Sequence, residues 1–200
     1  KPKILTEGSL GKAGGLAWFR LLCDKPLPEG RGLKDLPMGH VFSQSGLASF
    51  ATHLDRTPRS AMISFRSSPF GSTSHSLANQ NAFNTFWAGE AIFYSTGHHT
   101  SYIDRHALFC ERSSRAHNTI LVNGMGQRIG IEGYGWIPRY YVGDKIGYVV
   151  GDASNAYGKV VSETWKKRAA ELNIELSPEN GWDDVPLNTF RRHIVELGRT

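Results

Sequence analysis

Five of the eight histidines in this 200-residue chain, His75, His98, His99, His106 and His117, fall in one stretch that also holds Asp104, Arg105, Arg112 and Arg115. Imidazole changes charge closest to neutral pH, so such a stretch suits proton transfer, contact with anions, or a metal ion. His75 stands in a small, polar run, Phe70-Gly71-Ser72-Thr73-Ser74-His75-Ser76-Leu77-Ala78-Asn79-Gln80-Asn81-Ala82-Phe83, which leads straight into β-forming residues. A histidine placed there is presented on a rigid sheet; read alone, it is more commonly a plain surface residue. His98 and His99 are adjacent, so on a regular strand they point to opposite faces and cannot share one ion without a bulge. A cupin-like metal site needs a second histidine two residues after His75, and Leu77 stands there. Near the N-terminus, Gly8-Ser9-Leu10-Gly11-Lys12-Ala13 lacks both the glycine spacing and the Ser or Thr after lysine that a phosphate loop requires. It reads as the start of a helix.

The elements that must carry these residues are mostly strands. Leu16, Phe19, Leu22 and Cys23 fall at helical spacing, which predicts one short helix over residues 13–24. Residues 25–37 hold three prolines and two glycines, the composition of a connector, and set a boundary near Met38. Beyond it, residues 61–66, 82–87 and 91–94 are short β-rich runs, with Ala88-Gly89-Glu90 as a hairpin turn. Residues 119–122 read as a strand running into the hairpin signal Asn123-Gly124, and residues 146–150 as another. Trp165, Ala169 and Leu172 predict a helix over residues 163–172, with Ser162 as its N-cap, before a closing strand from Phe190. The expected fold class is mostly β, antiparallel sheet with two helices.

Composition narrows the partners. Hydrophobic residues are 40% and charged residues 20%, as in ordinary globular domains. The net charge of +5 favours polyanions without choosing between nucleic acid, anionic lipid and acidic polysaccharide, and a merely soluble basic surface explains it equally well. Cys23 and Cys110 form no metal-binding or disulfide framework. No segment has the apolar length of a membrane span or signal peptide, and the abrupt ends read as cuts in a longer protein.

Two motifs in order carry a resemblance. Gly71 to Phe83, followed by Arg115-Ala116-His117-Asn118-Thr119-Ile120-Leu121-Val122-Asn123-Gly124, is similar to the heparinase II/III-like polysaccharide lyases. That family shows His-Ser-His-Ala-Asp-Gln-Asn-Ser-Phe, then Asp-Ser-Gly-Tyr-Tyr, then Lys or Arg before Ala-His-Asn-Thr. The resemblance spans residues 16–150 and the strand at Phe190-Arg191-Arg192-His193, and is weak between Ser162 and Asn188. It implies an α/α toroid followed by a β-sandwich, with residues 1–37 as the end of the toroid plus a linker, and residues 38–200 as the sandwich. The implied reaction is β-elimination on a uronate-containing polysaccharide such as alginate or a glycosaminoglycan, rather than any action on nucleic acid. His75 matches the family's catalytic histidine, as proton acceptor or carboxylate-facing cation. Asn81, His98, His99, Arg112 and Arg115 are candidate substrate contacts.

The family's metal site falls on Leu77, Ser95 and His117, so two of its three ligands are replaced. The expectation is a lost metal site, the alternative being one rebuilt with His98, His99 or Asn79. The resemblance also implies a toroid in the same parent chain as partner and a periplasmic or secreted setting. A different reading is a non-catalytic glycan-binding sandwich that presents Trp87, Tyr94, Tyr102, Trp136, Tyr140 and Tyr141.

Overall fold

The computed structural model describes residues 36–54, 58–73, 75–95 and 104–197. The chain divides into two compact units, Lys1–Asp35 and Leu36–Thr200, and the described residues all belong to the second. The helix expected over residues 13–24 and most of its connector lie outside them.

Five antiparallel strands form a meander, β1 (Gly39–Phe42), β2 (Leu47–Ala51), β3 (Ala61–Arg66), β4 (Ala82–Trp87) and β5 (Glu90–Phe93), in spatial order 1-2-3-4-5. A second sheet joins β6 (Trp136–Val142), β7 (Ile146–Asp152) and β8 (Arg191–Leu197), also antiparallel. The runs read at residues 61–66 and 82–87 are β3 and β4. The β4–β5 hairpin turns at Ala88 and Gly89, both at positive φ, the two-residue geometry that matches strand twist.

Alternation sorts the side chains. Val41, Ala48, Phe50 and Phe65 on the inner face of the first sheet pack with Ile137 and Val149 of the second, and Ile63, Phe83 and Ile194 close the cluster. Burying rings such as Phe50 and Phe65 contributes about 1.5–3 kcal/mol each. A side chain on Gly39 or Gly147 would sit 2.4 and 2.5 Å from the Phe50 ring, so the absence of a Cβ at both sites lets that ring lie between the sheets. The architecture is the antiparallel sandwich expected.

Outside the sheets, one α-helix, α1 (Glu163–Glu171), folds among the described residues. Ala169, Ile174, Trp182, Leu108, Ile129, Val160 and Ala78 form a second buried cluster, with Trp165 and Leu172 against it. The helix matches the amphipathic spacing, but the Ser162 hydroxyl makes no capping bond; its carbonyl accepts the Lys166 N–H at 2.9 Å instead.

One further expectation is corrected, and one strand is added. Residues 119–122 are not a strand: only a Val122–Met125 bridge forms around the Asn123-Gly124 turn. The Thr119 N–H bonds the His117 carbonyl and the Ile120 carbonyl accepts the Tyr157 hydroxyl, so local and tertiary bonds replace the ladder. Conversely, residues 136–142 form edge strand β6, although Pro138 interrupts the register between Trp136 and Arg139, as proline does at sheet edges.

Candidate functional site

The polar run before β4 folds as a loop braced from both sides. Gly71 opens it at φ +59, where a Cβ would lie 2.5 Å from the Gly130 carbonyl, so only glycine fits. Ser72 pairs with Gly130 through both its amide, at 2.8 Å, and its hydroxyl, which accepts the Gly130 N–H at 2.9 Å. The Ser76 N–H bonds the Thr73 carbonyl at 2.8 Å, closing a tight turn that leaves His75 exposed.

Two guanidinium groups hold this turn. Arg66, at the end of β3, donates to the Leu77 carbonyl at 3.3 Å, the Gly71 carbonyl at 2.9 Å and Asn79 Oδ1. Burial lowers its pKa to about 10, which still leaves it charged at neutral pH. Arg112 follows a π-helical turn, Ala107–Glu111, and donates to the Ser76 carbonyl at 3.3 Å. Its guanidinium lies 4.6 Å from the ring centre of Trp165 on α1, a cation–π contact. The helical insertion therefore supports the loop that carries His75.

The two sequence motifs meet below the turn. The Ala78 N–H bonds the Arg112 carbonyl at 2.9 Å, and the Ser114 hydroxyl donates to the Ala78 carbonyl at 2.7 Å. The Gln127 side chain pairs with the Gln80 backbone like a neighbouring strand. It accepts the Gln80 N–H at 2.6 Å and donates to its carbonyl at 2.8 Å, and the Thr119 hydroxyl adds a bond to that carbonyl at 2.9 Å. Both glutamines are fully buried. Buried polar groups need such partners, which explains why Gln, Asn and Thr recur in these segments.

The predicted site residues take different places. His75 is exposed at the turn. Asn81 is fully buried at φ +57, donating to the Gly151 and Phe190 carbonyls at 3.1 and 3.2 Å, so its amide joins the two sheets and is not offered to solvent. Arg112 is likewise buried, and acts on the loop from beneath. Arg115 is exposed, but its guanidinium bonds the Asn180 carbonyl at 2.7 Å and lies over the Phe109 ring. His98 and His99 fall outside the described residues. Arg66, Ser114 and Gln127 were not singled out from sequence, and Trp165 only as a helix residue; for Arg66, a lone arginine closing the strand Ala-Met-Ile-Ser-Phe-Arg was the one available signal.

His117 is buried, and its Nε2 lies 2.7 Å from the Glu111 carbonyl. A carbonyl only accepts, so Nε2 carries the proton, and Nδ1 is buried with no hydrogen-bond partner. Burial lowers the His117 pKa; the Glu111 bond opposes this and the Arg66 charge adds to it, so the ring is neutral. Ser95 is bonded to Asn84 and Leu77 is apolar. No three His, Cys, Asp or Glu side chains gather among the described residues. These residues do not fit the metal site that the resemblance implies.

No family model matches the chain, and no curated protein matches it. Solved structures do. A heparinase III superposes with a TM-score of 0.51 at 15% identity over 75% of this chain, and heparan sulfate lyase HepC from Pedobacter heparinus with 0.53 at 15% over 76%. The chain spans 24% of the length of each. It has the heparinase III-like β-sandwich fold, and the family that its two motifs resemble is the one whose structures share that fold.

Proposed function

We propose that the chain is the sandwich portion of a polysaccharide lyase that cleaves a uronate-containing anionic polysaccharide, a glycosaminoglycan or alginate, by β-elimination. One observation carries this reading: an exposed His75, at the matching motif position, on a turn fixed by the half-buried Arg66 and the buried Arg112 in a heparinase III-like fold. In β-elimination a base takes the proton α to the uronate carboxylate, the electron pair forms a carbon–carbon double bond, and the glycosidic oxygen leaves with a proton. The carbanion is costly, so charge near the carboxylate must be neutralised as the proton departs. His75 either accepts that proton or, as imidazolium, faces the carboxylate.

The reading further places a toroid, earlier in the parent chain, opposite this sandwich, supplying the remaining groups; the fragment by itself is inactive. It also implies export to where polysaccharide is met, periplasmic or secreted. Among the described residues no helix is long and apolar enough to cross a membrane.

The test is the ultraviolet absorbance of new unsaturated uronate, measured with the full-length parent and its His75→Ala variant on heparan sulfate, chondroitin sulfate, hyaluronan and alginate. Activity in the parent and its loss in a folded variant are expected. A fully active variant overturns the role of His75. A silent parent that still binds one of these polymers favours the other reading, a glycan-binding module; the exposed Trp87, Tyr94, Tyr140 and Tyr141 give that reading its surface.

A further inference from the structure

The face of the first sheet turned away from the core bears a groove of about 340 Å³. Strand register builds it in rows. Phe42, Leu47, Arg66 and Ala82 stand side by side across β1 to β4, and the next row on that face is His40, Ser49, Ser64 and Asn84. Phe42, Leu47 and Met62 are exposed there. The groove thus has an apolar side, a strip of hydroxyl and amide groups, and a guanidinium at one end. Asn79, which also lines it, is bonded to Arg66 and lies four residues from His75.

Arg66 is the cation that lines this groove. Every acceptor it meets is neutral, two backbone carbonyls and one amide oxygen, and no carboxylate pairs with it among the described residues. Three of its five N–H groups are used in this way. Nε–H and one Nη2–H remain, and a guanidinium presents such donors as a planar fork that suits a carboxylate. A half-buried cation without a counter-ion, at the end of an open groove, is a place where a ligand carboxylate gains more than it would in water.

We propose that this groove is a subsite for one acidic sugar of an anionic glycan. The sugar carboxylate meets the Arg66 fork, its hydroxyls meet Ser49, Ser64 and Asn84, and its C–H face lies on Phe42, Leu47 and Met62. The ligand class rests on the lyase reading above; the site itself rests on the groove and the unpaired cation. The fork can meet both carboxylate oxygens at once, and the sulfated probe below tests whether a sulfate takes that place instead.

The probe is a hexasaccharide alternating glucuronate with N-acetylglucosamine, titrated into the chain by calorimetry, beside the neutral N-acetylglucosamine hexamer and an N-sulfated form of the acidic one. Leu47 is directly opposite Arg66 and exposed, so Leu47→Glu offers the fork an internal carboxylate without disturbing the loop bonds. Leu47→Glu is expected to weaken the acidic hexamer at least about tenfold, equal to about 1.4 kcal/mol, and Leu47→Gln less than about twofold. Arg66→Lys, which keeps charge but loses the fork, is expected to fall with Leu47→Glu, and the neutral hexamer to bind far more weakly throughout. The proposal is overturned if Leu47→Glu binds like the parent sequence, if the neutral hexamer binds equally, or if the acidic hexamer does not bind. A strong preference for the sulfated form would likewise overturn the carboxylate assignment. Groove binding without lyase activity in the full-length parent sinks the lyase reading alone; lyase activity with binding indifferent to Leu47→Glu sinks this subsite alone.

Discussion

Replacing Gln127 with leucine tests whether the buried polar network holds the motif loop. Gln127 satisfies the Gln80 N–H at 2.6 Å and shares the Gln80 carbonyl, at 2.8 Å, with the Thr119 hydroxyl, at 2.9 Å. In Gln127→Leu the volume is nearly kept, the N–H is orphaned, and the carbonyl keeps Thr119. An unsatisfied buried donor costs about 1–3 kcal/mol, so a loss of that order is expected. In Thr119→Val the carbonyl keeps Gln127, and the cost is about 1 kcal/mol. The double variant strips both partners from one carbonyl. Its cost exceeds the sum of the singles by about 1–2 kcal/mol, the coupling expected of neighbours that share a partner. Urea unfolding of the chain and its three variants measures all four corners. Strict additivity, or a Gln127→Leu loss below about 0.5 kcal/mol, would refute the idea that these bonds are what anchors Gln80.

Two further outcomes follow from the same region. His117 has a pKa lowered by burial, so below its unfolded value near 6.5 the unfolded chain binds the proton more readily than the folded one. Stability should therefore fall as the pH drops from that value toward the lowered folded one, by at most about 1.4 kcal/mol per pH unit, then level off for this group. Unfolding midpoints across pH 4–8 with His117→Gln, which lacks the slope, check it. Gly71→Ala forces a side chain at φ +59 and within 2.5 Å of a carbonyl oxygen. Strain and overpacking together should cost about 2–4 kcal/mol, read by thermal unfolding.

Much of the sheet was legible because its strands obey local rules. β3 and β4 combine β-branched, aromatic and small residues, and Ala88-Gly89 sits where a hairpin must turn. α1 followed from three apolar residues at helical spacing. What failed were places where distant groups decide. Residues 119–122 are strand-like in composition, yet Tyr157 and His117 take backbone bonds that a neighbouring strand would have supplied. β6 was not read from the sequence: Pro138 lies inside it, and a proline is tolerated there only because β6 is an edge strand.

The site was partly legible for a related reason. Order and residue type singled out the loop of His75 and the segment of His117, and the structure does bring those segments together. Type alone does not separate residues that face a ligand from residues that hold the loop. Asn81 and Arg112 are polar and lie in the motif region, but both are buried and bonded to backbone. Arg66, by contrast, lies outside both motifs, and its place at the loop depends on the β2–β3–β4 register.

Most of the described arginines grip carbonyls: Arg66, Arg105, Arg112, Arg115, Arg128 and Arg192 all bond backbone oxygens. A backbone oxygen is the same whatever residue bears it. The loops so gripped can exchange nearly every side chain while the grip persists, whereas an arginine lost cannot be replaced by lysine, which lacks the fork. Such a scaffold lets recognition chemistry drift while the shape of the support endures, which suits a fold shared with heparan sulfate lyases at 15% identity. Among divergent relatives, the arginines should change more slowly than the loop residues they hold.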